Sequence, residues 1–383
     1  TDNTGGVLPG VTVEASSPAM IEGSRLVVTD GTGQYNIVNL RPGTFSVTFT
    51  LPGFGTQVRD ELVLAAGFAM DIDVALSVGA LEESVTVSGQ SPVVDVQQVQ
   101  RTEVLTRAVQ EALPTGRSTW SYASLIPGVK IQKPDVGGIS GAQQNVMFGR
   151  GAEVADTMVE IDGLMVNTLI GDGGWQGYFN PMMTAETSYT TSGITAETQL
   201  GGMRINMIPQ EGGNQFSGSF FGGGTTKGMQ GDNWNERLGD LGVPEVGGIP
   251  HVEMIYDFNG SVGGPIIRDK LWFFSSARRN VLDNKIINSF KRDGSPGVDD
   301  NSITSAMSRM TWQLNDRNKI SVMFDKVRKR RFHVHGSGDD WDTASEVWTS
   351  PHYDTGTAKW TGALSSRVLV EFGFSLVYED WDP

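Results

Sequence analysis

The chain of 383 residues contains no cysteine, which excludes disulfides and thiolate metal sites and leaves its redox compartment unreadable. No apolar run reaches the roughly 18 to 20 residues that a membrane-spanning helix needs. Basic residues are in deficit, 29 Lys and Arg against 44 Asp and Glu for a net charge of −15. There is thus no chain-wide basic footprint for nucleic-acid phosphates. The first residue is Thr1 and no signal peptide opens the chain, so the sequence is expected to start inside a larger precursor or after processing. Enzyme signatures are missing as well. No G-x-S-x-G elbow occurs, and GDGGW at 171 lacks the GxxxxGK[ST] pattern of a phosphate loop.

What is present is glycine, 49 residues of it, spread along the chain in a way that predicts many turns and bulges. Over 1–80, short β-like runs (VTVEA, RLVVTD, QYNIVNL, TFSVTFT, MDIDVAL) alternate with the turn signals TDGTGQ, LRPGT and LPGFG. That spacing predicts a small Ig-like β-sandwich, read either as a spacer or as a carbohydrate-binding module. The opening TDNTGG looks like a turn following an absent first strand. Residues 81–100, LEESVTVSGQSPVVDVQQVQ, are polar and Val-rich and read as a linker with one extended segment. In RTEVLTRAVQEALP the four-residue spacing of Leu105, Val109 and Leu113 predicts an amphipathic helix closed by Pro114, and STWSYASLI predicts a second, ending at Pro127. Residues 101–212 as a whole read as a small α/β unit with few charges.

After residue 212 the pattern changes to seven candidate strands, at NQFSGSFFGG, EMIYDFNGSVGG, KLWFFSSARR, ITSAMSRMTWQL, KISVMFDKV, TAKWTGAL and RVLVEFGFSLVYED. Their links alternate between very short (PIIRD, NDRN, SSR) and polar stretches of about 20 to 30 residues, so one end of the sheet carries tight turns and the other large loops. In the last run Val368, Val370, Phe372, Phe374, Leu376 and Tyr378 fall on one face, and Glu371, Gly373, Ser375 and Glu379 on the other. A protein core or a lipid bilayer would suit that apolar face. Strands of about 9 to 12 residues with aromatics and one-sided loops favour the bilayer.

Four stretches in order carry a family resemblance: LPGVTVEA with TDGTGQYNIVNLRPGTFSVTFTLPGF, then LPTGRSTWSYASLIPGV, then VEIDGLMVN with AETQLGGMRINMIPQEGGNQFSGSFFGG, then NGSVGGPIIRDKLWFF. Together they resemble the TonB-dependent outer-membrane receptors, specifically the Oar-like group with an N-terminal carboxypeptidase-regulatory-like domain. The resemblance implies a mainly β chain: a sandwich at 1–80, a linker at 81–100, a small α/β plug at 101–212, and the first strands of a transmembrane antiparallel β-barrel at 213–383. It implies energised import of a scarce large solute such as a siderophore, glycan or oligopeptide, with no catalysis, cofactor or metal. The location implied is the outer membrane of a Gram-negative-type cell, with sandwich and plug on the periplasmic side.

The partners implied are a TonB-type energy-transducing protein, outer-membrane lipid and an extracellular solute. The TonB partner would pull on a short extended segment, for which EESVTVSG is the candidate (Glu82, Glu83, Ser84, Val85, Thr86, Val87); its β-branched residues suit strand addition, and a last strand of the sandwich is the competing reading. Arg150 and Arg204, flanked by glycines in the plug, would pair with lumen carboxylates as a reversible latch, or stand solvated on the plug surface. The sequence departs from the family in showing seven strands where its barrels have about 22, so it is expected to be truncated at both ends.

The run KVRKRRFHVHGSGDDWD at 326–342 offers Arg328, Lys329, Arg330 and Arg331 to lipopolysaccharide phosphates. His333 and His335 with Asp339 or His352 would permit a metal site, although clusters of this kind usually belong to loops. An alternative function keeps the barrel as an anchor and makes the chain an adhesion or carbohydrate-binding surface protein. The linker argues against it, since an adhesin has no use for an extended periplasmic segment.

Overall fold

A computed structural model describes residues 1–17, 20, 23–38, 40, 43–64, 70–79, 85–88, 101–132, 135, 138–142, 146–149, 151–167, 177–194, 198–231, 233–245, 249, 251–334, 336, 339–365 and 368–382. Three principal sheets follow one another along the chain.

The first sheet comprises β1 (Thr12–Ser16), β2 (Ser24–Val28), β3 (Gly43–Thr50), β4 (Gln57–Leu64) and β5 (Val85–Ser88) in the order β2-β1-β3-β4-β5. The first four pair antiparallel and β5 joins β4 in parallel. Alternation turns Val13, Ala15, Phe45, Val47 and Phe49 inward. The described residues of the expected strands QYNIVNL and MDIDVAL form no regular ladder apart from the Asp2–Leu76 bridge. Side chains hold them instead: Tyr35 donates to the Ile72 carbonyl at 3.0 Å and meets Phe49 edge-on at 5.6 Å. Ile37, Ile72 and Val74 cover the same core.

The second sheet is formed by β6 (Arg101–Thr106), β9 (Met158–Ile161), β10 (Leu164–Met165), β11 (Thr184–Ser192) and β12 (Arg204–Pro209), ordered β10-β9-β12-β11-β6; β7 (Val129–Ile131) and β8 (Met147–Gly149) pair separately. The predicted helix over 101–113 is half strand. Arg101–Thr106 pairs with β11, and only Arg107–Ala112 is helical (α1), capped by Thr106. Val109, placed on the apolar stripe by the sequence, is exposed, while Gln110 is buried and donates to the Leu105 carbonyl at 2.9 Å. A free sheet edge outcompeted helical spacing, because pairing with β11 satisfies a whole row of backbone groups. The second helix, α2 (Thr119–Ala123), is held by a capping box between Ser118 and Ser121. Trp120, Tyr189, Met203, Ile205 and Met207 make the core of this unit.

The third sheet is a seven-stranded antiparallel meander: β13 (Ser217–Thr226), β14 (Val252–Ile267), β15 (Leu271–Phe290), β16 (Pro296–Asn315), β17 (Asn318–Val334), β18 (Glu346–Ser365) and β19 (Val368–Asp382). A short helix, α3 (Glu236–Asp240), lies in the β13–β14 connection. From β14 onward the strands run 15 to 20 residues, longer than the expected 9 to 12. The β15–β16 link shrinks accordingly to residues 291–295. The polar, Asp-rich stretches taken for loops continue the ladder, because paired backbone needs no apolar side chain once the strand stands in water. The sheet is an open arc, with β13 and β19 at its two ends.

Its two faces differ in chemistry. Outward lie Phe220, Phe258, Val262, Met310, Trp312, Val322, Phe324, Phe372, Phe374 and Leu376, all more than 40% exposed. The inward face carries Arg278, Asn280, Ser305, Arg309 and Asp325, buried, against which the second sheet packs. Phe274, Met307 and Met323 of the wall join the core of that sheet directly. β19 shows both environments on one strand: Phe372 and Phe374 are bare outward, while Ser375 donates to the Met165 carbonyl at 2.7 Å and a Cβ on Gly373 would overlap Leu164. Thus the even face of β19 is the lipid side of a transmembrane wall and the odd face meets the plug.

Ten strand steps of about 3.3 Å at a tilt near 40° rise about 25 Å, the height of the hydrocarbon band. Counted from Val368 this puts Phe372 and Phe374 either side of the midplane and Tyr378 at the far boundary. Arg at Phe374 should therefore cost about 2–4 kcal/mol and Arg at Tyr378 about 0–1, measured by reversible unfolding in lipid vesicles. Gly373→Leu should also destabilise, through collision with Leu164 rather than through depth. Equal losses at Phe374 and Tyr378 would show the even face packing on protein.

Candidate plug–barrel latch

The second sheet is fastened to the wall by a group of charges at the end carrying the tight turns. β9 and β10 are joined by the two-residue turn Asp162–Gly163, with φ of 54° and 78°. Both residues at positive φ is the type I′ geometry that Asp-Gly favours. The turn projects the Asp162 carboxylate from the sheet toward the wall. Glu211 follows β12 at the exit of the same sheet. Arg309, on the inward face of β16 and 4% exposed, reaches both: one terminal nitrogen pairs with Asp162 and the other with Glu211 at 2.8 Å.

Neighbouring strands extend the group. Lys319 of β17 pairs with the other Glu211 oxygen at 3.1 Å. Lys359 of β18 donates to the Asp162 carbonyl at 3.4 Å and pairs with Glu371 of β19 at 3.1 Å. Three cations thus face three carboxylates, and the group is neutral as a whole. Partnering on this scale is what permits an arginine to remain charged at such burial. A guanidinium suits the task, since its planar fork serves two carboxylates at once.

At the opposite end polar contacts also hold the plug to the wall. Lys329 donates to the Tyr178 hydroxyl at 2.6 Å, and Tyr178 meets Tyr353 edge-on at 5.5 Å. Burial raises the Tyr178 hydroxyl well above its ordinary pKa, so it stays neutral and available as an acceptor. Asn284 reaches the Ile139 carbonyl at 3.3 Å.

The residues singled out in the sequence fare unequally. Arg204 pairs at 2.7 Å with Glu160 on the adjacent strand β9, so its partner lies within the plug and it is no latch to the barrel. The latch has the opposite polarity, carboxylates on the plug and cations on the wall. Arg150 lies outside the described residues. Of the candidate TonB segment, Glu82, Glu83 and Ser84 lie outside the described residues, while Val85, Thr86 and Val87 form β5 beside β4. Alternation splits the basic run: Arg328 and Arg330 are exposed outward, whereas Lys329 and Arg331 turn inward, Arg331 onto Asp299. Lys329 and Arg331 therefore serve the lumen and not the membrane surface. His335 lies outside the described residues, and His333 is stacked on Trp341 at 3.7 Å with Asp300 on its Nδ1 at 2.9 Å. No metal-holding group of His, Asp or Glu occurs among the described residues.

Arg309, Lys319, Asp162 and Glu211 were missed. The available signals were the Asp-Gly turn in VEIDGLMVN and an arginine on the face of ITSAMSRMTWQL that carries Ser305, Met307 and Thr311, but nothing local joins positions 147 residues apart.

Comparison with known proteins agrees with this architecture. Residues 1–77 match the carboxypeptidase regulatory-like domain family. Over 282 residues the chain is 28% identical to the TonB-dependent transporter Oar of Myxococcus xanthus, covering 69% of this chain and 24% of that protein. Among solved structures it resembles the outer-membrane transporter YddB of Escherichia coli (TM-score 0.55, 14% identity, 73% of this chain and 39% of that one). It also resembles the siderophore receptor PirA of Acinetobacter baumannii (TM-score 0.50, 16% identity, 70% and 38%). The chain spans about a quarter of the length of the curated relative it matches. The class so defined is an outer-membrane β-barrel wall with a plug folded against its inner face. Within that class the chain has the fold of a TonB-dependent receptor, preceded by a carboxypeptidase regulatory-like domain.

Removing Arg309 strands the Asp162 carboxylate and leaves Glu211 to Lys319, and breaking a buried ion pair from one side typically costs about 3–5 kcal/mol. Arg309→Ala should lower plug stability by that order in denaturant unfolding of the membrane-inserted receptor. Asp162→Ala in the Arg309→Ala background should cost much less than in wild type. Additive losses would mean that the two are not coupled.

Proposed function

We propose that this chain carries the regulatory, plug and early-barrel elements of an energised importer, taking up a scarce large solute such as a siderophore, glycan or oligopeptide. The observation that carries the reading is the latch: a separately folded sheet lines the lumen and is held at the tight-turn end by ion pairs and not by apolar surface alone. Ion pairs of this kind break without leaving apolar surface stranded, since water rehydrates both partners as they part. The plug continues into β13 at the same end, where Asn214 bonds to Asp269 and Trp272 of the first tight turn. Tight turns face the periplasm in such barrels, so the sandwich, linker and latch all lie where a periplasmic partner would reach them.

That partner, on this reading, is a TonB-type protein recruiting the segment around Val85–Val87 by strand addition. β5 is the last strand of the first sheet, as the competing reading of the segment expects, and strand addition would use its other edge, which has no neighbouring strand among the described residues. A force applied there would reach the plug through residues 89–100 and β6, the outermost strand of the plug sheet. The competing reading, a glycan-binding or adhesive surface protein anchored by its barrel, gives the latch no role. Outer-membrane lipid and an extracellular solute complete the partners proposed.

Val85→Pro removes a backbone donor that a strand ladder requires. Cells producing the variant receptor should lose solute uptake while keeping normal receptor abundance in the outer membrane, and a peptide of residues 81–100 should retain a TonB C-terminal domain on a column. Normal uptake by the variant would sink the assignment of the segment.

A further inference from the structure

The outward half of the basic run enters no ion pair among the described residues. Arg328 and Arg330 are exposed on the outer face of β17, and neither has a carboxylate partner among the described residues. Two strands away Arg279 occupies the same rung, through the register Arg279–Thr304–Arg328. It too is exposed, and among the described residues its side chain bonds to the Thr304 hydroxyl at 2.7 Å. At about 4.8 Å between strands and about 3.3 Å per residue along them, the three Cα atoms fit within a patch about 12 Å across.

Depth decides what this patch meets. Along the outer face of β17 the order from the tight turn is Val322, Phe324, Lys326, Arg328, Arg330, Phe332. Lys326 is neutralised by Asp354 at 3.4 Å, so the free charge begins at Arg328. Arg328 is ten steps above Asn318, about 25 Å after tilt, which is the outer boundary of the hydrocarbon band. Phe258, opposite Arg279 in the ladder, and Phe332 are both exposed on the same face, at 50% and 41%. Guanidinium groups and bare aromatic rings together at that level face headgroups rather than open water.

We propose that Arg279, Arg328 and Arg330 form a lipid-facing site for the phosphates of lipopolysaccharide in the outer leaflet. The arginine fork pairs with phosphate oxygens in a bidentate manner, and three forks on one rim suit a headgroup bearing more than one phosphate. The inference rests on the sidedness proposed above but not on transport.

The test uses the full-length receptor in phosphatidylcholine vesicles containing diphosphoryl lipid A, dephosphorylated lipid A or phosphatidylglycerol, read by thermal unfolding. Diphosphoryl lipid A should raise the Tm of the wild type by several degrees, with little effect from the dephosphorylated form, phosphatidylglycerol or inorganic phosphate in solution. The rise should vanish in Arg279→Gln/Arg328→Gln/Arg330→Gln and halve in Arg279→Gln alone, which guards against misfolding of the triple variant. Arg292→Gln, in the β15–β16 link, should behave as wild type. An undiminished rise in the triple variant overturns the site, and an equal rise with phosphatidylglycerol overturns its assignment to the outer leaflet. Uptake by the triple variant tests the transport reading separately, and its loss or retention leaves the Tm result standing.

Discussion

Backbone hydrogen bonding in hydrocarbon governs the whole chain. A strand crossing lipid has no water for its N–H and C=O groups, so each must pair with a neighbouring strand, and the antiparallel meander from β13 to β19 is the result. Pairing fixes alternation, and alternation forces every second side chain inward. The wall therefore presents a polar inner surface whatever is placed there. The plug answers that surface with its own polar groups, and Arg309 with Asp162 and Glu211 is the point at which the two are matched most closely.

Matching of this kind is unlike the packing of an ordinary core. Met307 and Met323 give the plug apolar contact with the wall, but the same inner face carries buried polar groups of Ser305, Asp325 and Asn259 with at least one atom that has no hydrogen-bond partner among the described residues. Buried polar groups without protein partners are commonly met by ordered water. A plug bound through such groups and ion pairs is held against thermal displacement, yet it can exchange protein partners for water in small steps. A continuous apolar seam would resist separation over its whole area at once.

Much of this was legible in the sequence because strand periodicity is local. The even face of RVLVEFGFSLVYED, seven strands after residue 212 and the tight turns PIIRD and NDRN all rest on neighbouring residues. Errors arose where a distant element decided the outcome. Residues 101–106 have helical spacing, yet β11, some 85 residues on, offered an edge to pair with. The Asp-rich stretch after Asn284 reads as loop, yet β16 continues the ladder beside it. Arg204 was judged by its glycine neighbours, and Glu160 across the sheet claimed it. The latch is the extreme case, since its residues come from both units and no window of sequence contains them together.

The long paired strands β15 and β16 have one more consequence. Twenty residues at the usual rise and tilt climb about 50 Å, twice the hydrocarbon band, so about half of this hairpin stands clear of the membrane and closes in a link of only five residues. A protease needs an unpaired extended segment to seat in its cleft, and up to Lys285 and Val298 this rim offers none, because the ladder engages its backbone groups; the register breaks only between Lys285 and Phe290. Nor does the rim need to be ordered when something binds it: Asp299, Arg331 and Trp341 are already in place. Contact there carries a small entropic cost, so the paired part of the rim is at once hard to digest and ready to bind.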